Sequence, residues 1–306
     1  MEAEPTTGAP TPNATGRVHR VLVDELADRV GDRREATWIV EHVERSGESD
    51  PAAVAATARA LAERRVAGEP LQYVLGSWAF RSLELAVDRR VLIPRPETEQ
   101  VVEVALGELD RITRGRRPDA GRPVCVDLGT GSGAVALSLA LEGGRAGAPP
   151  EVWATDCSTD ALDVARANLA AVAARHPEVA ARITLRAGSW FDALPDHLAH
   201  RVDLIVSNPP YVTEEEYPDL DPGVREWEPE GALVAGRGAS GVGGTSDIEA
   251  VVAGAGHWLQ PSGALVVELA PAQADAVAHA ARRAGFSRVG TAPDLTGRTR
   301  MLVAER

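Results

Sequence analysis

The sequence predicts an α/β fold of Rossmann-like type, in which a parallel sheet is covered by helices on both faces. From Pro123 onward, short runs of branched apolar residues alternate with alanine-rich stretches long enough for crossover helices. Before residue 68, apolar residues recur at helical spacing instead. Between the two patterns lies a stretch with strand-like alternation. We therefore expect a small N-terminal helical bundle, a β-hairpin linker and a Rossmann-like domain.

The N-terminal part divides into a tail and a helical segment. Residues 1–16 are polar and proline-rich, with neither a basic nor an apolar signal-peptide region, and are predicted to be disordered. Residues 17–68 are predicted to form helices, with Gly31 ending the first. A later helix has Asp50 as its N-cap and Pro51 at its first position.

The linker is predicted to span residues 69–95. Gly68-Glu69-Pro70 breaks the helical pattern, and the stretches LQYVLGSWAF and LELAVDRRVLI both read as strands, the second with clear alternation. A helix is then expected from about Glu97, at the start of the last domain, residues 96–306.

Five buried strands are predicted in that domain, at 124–128, 152–155, 183–186, 202–207 and 264–269. Between them, residues 134–141 and 161–174 are expected to be helices in right-handed βαβ units. The segments 286–289 and 300–304 lie too close together for a crossover helix, so they are expected to pair as an antiparallel edge.

Composition excludes several classes of function. The chain of 306 residues has a formal charge of −13, and its 32 basic residues are all arginine; an acidic balance argues against a nucleic-acid backbone as partner. Cys125 and Cys157 are too far apart for a CxxC pair and are expected to be reduced thiols in a cytoplasmic protein. His197 and His200 have no clustered partners, so no metal is expected. No apolar run is long enough to span a membrane.

The first predicted strand ends in a glycine-rich loop. Glycines let backbone N–H groups approach a ligand closely, and the helix that follows adds its positive end. The loop also fits the G-x-G-x-x-A form of the dinucleotide fingerprint, which indicates an adenosine-containing cofactor, although a tight turn alone would explain it equally. The candidate cofactor-binding residues are Asp127, Gly129, Thr130, Gly131, Ser132 and Gly133.

Two carboxylates sharpen the prediction of the cofactor. Asp127 directly precedes the glycines, where it would repel a pyrophosphate and attract a cationic amino-acid group. Asp156 ends the second strand, where it can bind both ribose hydroxyls. The pair fits S-adenosylmethionine better than NAD. A helix cap is the alternative role of Asp156, unless Ser158 supplies that cap.

The fourth predicted strand ends in the tetrapeptide Asn208-Pro209-Pro210-Tyr211. A proline pair can simply end a strand. However, a planar substrate nitrogen can donate one hydrogen to the Asn208 side-chain oxygen and one to the Pro209 carbonyl, while Tyr211 covers its flat face. The prolines stiffen this arrangement. The tetrapeptide is therefore predicted to bind a substrate nitrogen and to be catalytic through Asn208, Pro209 and Tyr211.

The motifs GEPLQYVLGSWAF, LIPRPETE, DLGTGSGAVALSLA, SNPPYV and VREWEPEGAL occur in that order. Together they resemble the protein-(glutamine-N5) methyltransferases that modify peptide chain release factors, the HemK/PrmC family. The resemblance runs from about residue 18 to the C-terminus. It implies a helical substrate-recognition domain, a hairpin linker and a seven-stranded catalytic domain that uses S-adenosylmethionine. The implied partner is the Gly-Gly-Gln loop of class-I release factors.

The resemblance also assigns residues. It places Gly129 to Gly133 in the cofactor loop, Asp156 on the ribose and Trp190 beside the adenine, although an ordinary core aromatic is the alternative for Trp190. The tetrapeptide binds the glutamine, with Asn208 also near the cofactor. The sequence departs from the family pattern at Ala270-Pro271 and in the glycine-rich segment 236–244, both of which lie outside the cofactor loop and the tetrapeptide.

Other functions are also compatible with these motifs. A glutamine methyltransferase acting on a ribosomal protein is one, and an adenine-N6 DNA methyltransferase is another, because adenine also presents a planar amino group. The net charge of −13 argues against DNA. A non-catalytic adaptor would not need the tetrapeptide. We expect a monomeric cytoplasmic enzyme that works by positioning its reactants, without a metal.

Overall fold

The computed structural model describes residues 14–116, 121–145 and 147–306. The chain folds into two compact units that divide between Leu75 and Gly76. Residues 1–13 of the predicted disordered tail lie outside the described residues.

The first unit is helical. Asp32 and Asp50 cap the second and third helices, and their carboxylates accept hydrogen bonds from first-turn backbone N–H groups. Gly31 ends the first helix at a φ of +80°, as its glycine predicted. Leu26, Ile39 and their neighbours pack into one apolar core. The helices are α1 (Ala14–Val30), α2 (Arg33–Arg45), α3 (Pro51–Val66) and α4 (Leu71–Leu75).

Two sequence predictions for this unit were wrong. Residues 14–16, assigned to the tail, form the first turn of α1; they precede its apolar positions, so periodicity did not reveal them. Residues 71–75, read as a strand, form the helix α4. The Pro70 carbonyl accepts from the backbone N–H groups of Tyr73 and Val74, and the Arg64 guanidinium donates to the Tyr73 carbonyl at 3.0 Å. An apolar run this short does not distinguish helix from strand.

The second unit begins with an antiparallel hairpin of β1 (Ser77–Phe80) and β2 (Leu83–Ala86). Its remaining strands are β3 (Val124–Leu128), β4 (Glu151–Asp156), β5 (Ile183–Ala187), β6 (Val202–Ser207), β7 (Leu259–Glu268), β8 (Arg288–Pro293) and β9 (Thr299–Glu305). Its helices are α5 (Pro96–Arg114), α6 (Ala134–Glu142), α7 (Thr159–Arg175), α8 (Pro177–Ala180), α9 (Pro222–Arg225), α10 (Ser246–Trp258) and α11 (Ala274–Arg283).

Within the described residues, seven strands form one sheet in the order β5-β4-β3-β6-β7-β9-β8. The first five are parallel, and β9 is antiparallel to both β7 and β8. The predicted parallel sheet and its antiparallel edge are therefore confirmed, although β8 begins two residues later than predicted. Helices cover both faces of the sheet, and a separate apolar core lies on each face.

This strand order fixes where a ligand can bind. The chain moves outward from β3 through β4 to β5 and then returns to place β6 on the other side of β3. Ligands of open α/β sheets bind at such a reversal, outside the carboxyl ends of the strands. The glycine loop after β3 and the tetrapeptide after β6 both lie at this edge. In the part of the chain that the structure describes, no helix is long and apolar enough to cross a membrane.

Candidate active site

The glycine loop after β3 is held by the neighbouring strand. The backbone N–H groups of Gly129 and Thr130 both donate to the Thr155 carbonyl at 2.9 Å. Gly129, Gly131 and Gly133 have φ values of +73°, +54° and +86°, a region that disfavours residues with a Cβ. The predicted glycines are thus required by the backbone of the loop, which turns directly into α6.

Asp127 is a buried carboxylate beneath this loop. Its Oδ2 accepts from the Thr130 hydroxyl at 2.7 Å and from the Ala136 N–H at 3.0 Å. Burial raises the pKa of Asp127 to about 7, and the nearby charge of Asp156 acts in the same direction. A cation bound beside it would stabilise the ionised form.

Asp156, at the end of β4, is bonded on both oxygens. Oδ2 accepts from the Gly131 N–H at 2.8 Å and Oδ1 from the Ser158 N–H at 2.9 Å. Burial raises its pKa above the ordinary value. The N-cap of α7 is Ser158, whose hydroxyl accepts from the Ala161 N–H, so the helix does not need Asp156 as its cap.

Trp190 lies against the glycine loop. Its carbonyl accepts from the Thr155 hydroxyl at 3.0 Å, and its backbone has a positive φ of 44°. A Cβ on Gly129 would lie 3.4 Å from the Trp190 ring. The ring packs partly against the core and also faces the cavity described below.

The tetrapeptide leaves β6, whose residues are all buried. The Asn208 Nδ2 donates to the Thr98 hydroxyl at 3.2 Å, and Pro209 is buried. The Tyr211 hydroxyl donates to a Glu268 carboxylate oxygen at 3.5 Å. Burial raises the pKa of Tyr211 to about 12, so this hydroxyl stays protonated.

Thr98 and Glu268 were not among the predicted site residues. Thr98 lies on α5 and donates through its hydroxyl to Glu268 at the end of β7, at 2.7 Å. Only 5% of Thr98 and 1% of Glu268 is exposed. Burial raises the pKa of Glu268 to about 7. Each left a signal in the sequence: Thr98 interrupts the buried face of α5, and Glu268 directly follows the apolar run 264–267 of β7.

The Gln273 side chain also holds the backbone of the tetrapeptide. The Gln273 Nε2 donates to the carbonyls of Tyr211, Gly243 and Gly244 at 2.9 to 3.2 Å. Gln273 follows Ala270, whose N–H donates to its Oε1. The two places where the sequence departs from the family pattern are therefore both linked to Tyr211 through the Gln273 side chain.

These elements enclose a cavity of about 380 Å³, within the range of small-molecule sites. Of the predicted residues, Gly133, Pro209 and Tyr211 are not in its lining, whereas the others are. The predicted residues that line it are Asp127, Gly129, Thr130, Gly131, Ser132, Asp156, Trp190, Asn208 and Pro210. The structure thus brings the glycine loop, both carboxylates and the start of the tetrapeptide to one cavity.

The segment before α5 supplies a further wall that was not predicted. Arg90 and Arg95 line the cavity, and Arg95 forms an ion pair with the buried Glu228. The second Glu228 oxygen accepts from the Ile93 N–H at 3.0 Å. Within the described ranges, His, Cys, Asp and Glu side chains form no cluster of three or more that could hold a metal ion.

A family model, the methyltransferase small domain, matches residues 118–220, the stretch that carries the glycine loop, Asp156 and the tetrapeptide. The matched stretch is therefore a methyltransferase domain. Among solved structures, a methyltransferase from Pyrococcus furiosus aligns with a TM-score of 0.49 at 17% identity, over 74% of this chain and 90% of that chain; this level of similarity adds nothing to the strand order itself.

Sequence relatives give the family. The release factor glutamine methyltransferase of Xylella fastidiosa is 38% identical over 292 residues, 95% of this chain and 94% of that protein. The protein of the same name from Bordetella pertussis is 40% identical over 287 residues, 90% of this chain and 96% of that protein. The chain therefore belongs to the family of release factor glutamine methyltransferases.

Proposed function

We propose that this enzyme transfers a methyl group from S-adenosylmethionine to the side-chain amide nitrogen of the glutamine in the Gly-Gly-Gln loop of class-I release factors. The observation that carries the proposal is the shared cavity: Asn208 and Pro210 line the same space as the glycine loop and Asp156. Relatives named for this activity match along nearly their whole length.

The residues present fit the cofactor. Asp127 lines the cavity. Because both of its described hydrogen bonds are accepted by Oδ2, we assign Oδ1 as the acceptor for the cofactor's ammonium group. We assign the ribose hydroxyls to Asp156 and the adenine to Trp190. When bound, S-adenosylmethionine supplies an electrophilic methyl group on a sulfonium centre.

The tetrapeptide orients the glutamine. We assign the Asn208 Oδ1 and the Pro209 carbonyl as acceptors for the two amide hydrogens, and Tyr211 as a wall beside the amide plane. An amide nitrogen is a poor nucleophile because its lone pair is delocalised, and the chain contains no lysine to act as a base. Catalysis then depends on positioning, which supplies about 7–11 kcal/mol when both reactants are held in near-attack geometry.

The division of labour follows from where these residues lie. Every assigned residue belongs to the second unit, so we assign recognition of the whole release factor to residues 17–68 and the methyl transfer to residues 96–306. The proposal includes a monomeric, cytoplasmic enzyme that requires neither a metal nor nucleic acid.

The test is a methylation assay with labelled S-adenosylmethionine and four samples: a class-I release factor, ribosomal proteins, DNA, or no acceptor. We expect label in the release factor alone. Replacing Asn208 with alanine should lower turnover about 10²–10³-fold, by analogy with the loss of one preorganised contact to a reacting group. Cofactor affinity, measured by calorimetry, should change much less. Label in DNA or ribosomal proteins but not in the release factor would contradict the proposal.

A further inference from the structure

Four side chains form a hydrogen-bonded chain behind the tetrapeptide. The Asn208 Nδ2 donates to the Thr98 Oγ1 at 3.2 Å, and the Thr98 hydroxyl donates to the Glu268 Oε2 at 2.7 Å. The Tyr211 hydroxyl reaches the Glu268 Oε1 at 3.5 Å. The chain thus connects β6, α5 and β7, and it ties both ends of the tetrapeptide to one carboxylate.

The direction of this chain is set by the number of hydrogens available. A hydroxyl has one hydrogen, and Thr98 gives it to Glu268. Toward Asn208 the Thr98 oxygen is therefore only an acceptor, and it selects the Nδ2 end of the Asn208 amide. The Oδ1 end must then point away from Thr98. An ionised carboxylate only accepts, so an ionised Glu268 enforces this direction.

Protonation of Glu268 removes that constraint. A neutral carboxyl group can donate to Thr98, and the Thr98 hydroxyl is then able to donate to the Asn208 Oδ1. The Asn208 amide would turn over and present its NH2 group to the substrate in place of the required acceptor. Two donors facing each other cannot form a hydrogen bond.

We propose that Thr98 and Glu268 are positioning residues that fix which end of the Asn208 amide faces the substrate, and that they do so only while Glu268 is ionised. This inference rests on the proposed function, because it assigns the selected oxygen to the glutamine amide. Both residues act through Asn208; Thr98 also lines the cavity, whereas Glu268 does not.

The charges around Glu268 make its ionisation sensitive to pH near neutrality. Arg300, on β9, favours the ionised form, whereas Glu97, on α5, opposes it. The hydrogen bonds from Thr98 and Tyr211 also favour ionisation, but burial outweighs them and raises the pKa of Glu268 to about 7. The methyl-transfer rate should therefore rise as the pH passes upward through neutrality.

Single-turnover methylation of a release factor tests this with three variants. Thr98→Val keeps the shape and removes the hydroxyl, so the rate should fall about tenfold or more, the equivalent of one lost hydrogen bond. Thr98→Ser keeps the hydroxyl and should stay within about threefold of the parent. Glu268→Gln carries an amide that does not ionise and can either accept from or donate to Thr98, so its rate should lose the rise with pH. Cofactor affinity and melting temperature should differ much less between Thr98→Val and Thr98→Ser than the methyl-transfer rate does.

A second measurement does not require activity. The side-chain amide signals of Asn208, followed by nuclear magnetic resonance on the whole chain, should shift with pH across neutrality in the parent and not in Glu268→Gln. Constant Asn208 signals in the parent, or equal rates for Thr98→Val and Thr98→Ser, would overturn the inference. A parent that fails to methylate the release factor while its Asn208 signals titrate would instead refute the proposed function.

Discussion

Replacing Gly244 with alanine should displace the tetrapeptide without touching the cofactor residues. Gly244 lies in the glycine-rich segment and has a φ of +69°. An added Cβ would lie 2.1 Å from the Tyr211 carbonyl oxygen and 2.6 Å from the Gln273 Nε2. Ordinary contact begins at 3.4 Å, so the Cβ and the Tyr211 oxygen must separate by a further distance of about 1.3 Å.

This displacement sets the expected magnitude. A misplacement of about 1 Å can lower a rate about 10²-fold when catalysis depends on positioning. Gly241→Ala is the matched control, because Gly241 lies in the same segment with a φ of +80° but has no atom within 4 Å of the added Cβ. Both variants carry the strain of a left-handed alanine, about 1–2 kcal/mol, and only Gly244→Ala adds the clash.

The assay is single-turnover methylation of a release factor, measured beside a melting curve and a calorimetric titration with S-adenosylmethionine. We expect Gly244→Ala to be about 10²-fold slower than Gly241→Ala, with similar cofactor affinities. Equal rates in the two variants, both folded, would refute the idea that the glycine-rich segment fixes Tyr211.

Three further predictions concern the cavity and its buried charge. Asp156→Ala should weaken cofactor binding by about 1.5–3 kcal/mol for each charge-assisted hydrogen bond lost; calorimetric affinity unchanged within twofold would remove the ribose assignment. Gly131→Ala, at a φ of +54° in the cofactor loop, should lower the free energy of unfolding by about 1–2 kcal/mol, the strain of a left-handed alanine; an unchanged free energy of unfolding would contradict the requirement of the loop backbone for glycine. The pKa of Glu268 rises from an ordinary 4.5 to about 7 on folding, so its contribution to stability is fully present below pH 4.5 and is lost, by up to about 3 kcal/mol, as the pH rises from 4.5 to about 7. The free energy of unfolding, measured with denaturant, should therefore increase for Glu268→Gln relative to the unsubstituted protein over that pH range. If the difference in the free energy of unfolding between the two proteins stays constant with pH, Glu268 is not a buried ionisable group.

The sequence predicted the two central strands well because β3 and β6 are almost wholly buried. The bounds of β3 and β6 agree with prediction at both ends, since each is a short apolar run that stops at a glycine loop or a proline pair. The antiparallel edge was also found, from the short distance along the chain between its two segments. The helix α4 was missed because its apolar run is as short as a strand.

The site was predicted where its residues are neighbours along the chain. The glycine loop and the tetrapeptide are local motifs, and the sheet order brings them together. The Thr98–Glu268 hydrogen bond joins residues 170 positions apart, so no local pattern reveals it. Thr98 and Glu268 were visible only as polar residues, the first on the otherwise apolar buried face of α5 and the second directly after the apolar run 264–267 of β7.

Tandem mass spectrometry of the Gly-Gly-Gln peptide from a release factor, after incubation with this enzyme and S-adenosylmethionine, tests the central claim most directly. The geometry around Asn208 predicts one added methyl group, on the side-chain amide of that glutamine, which forms about 10²–10³-fold more slowly when Asn208 is replaced by alanine. An unmodified Gly-Gly-Gln peptide, with the methyl group on another residue or another macromolecule, would contradict it.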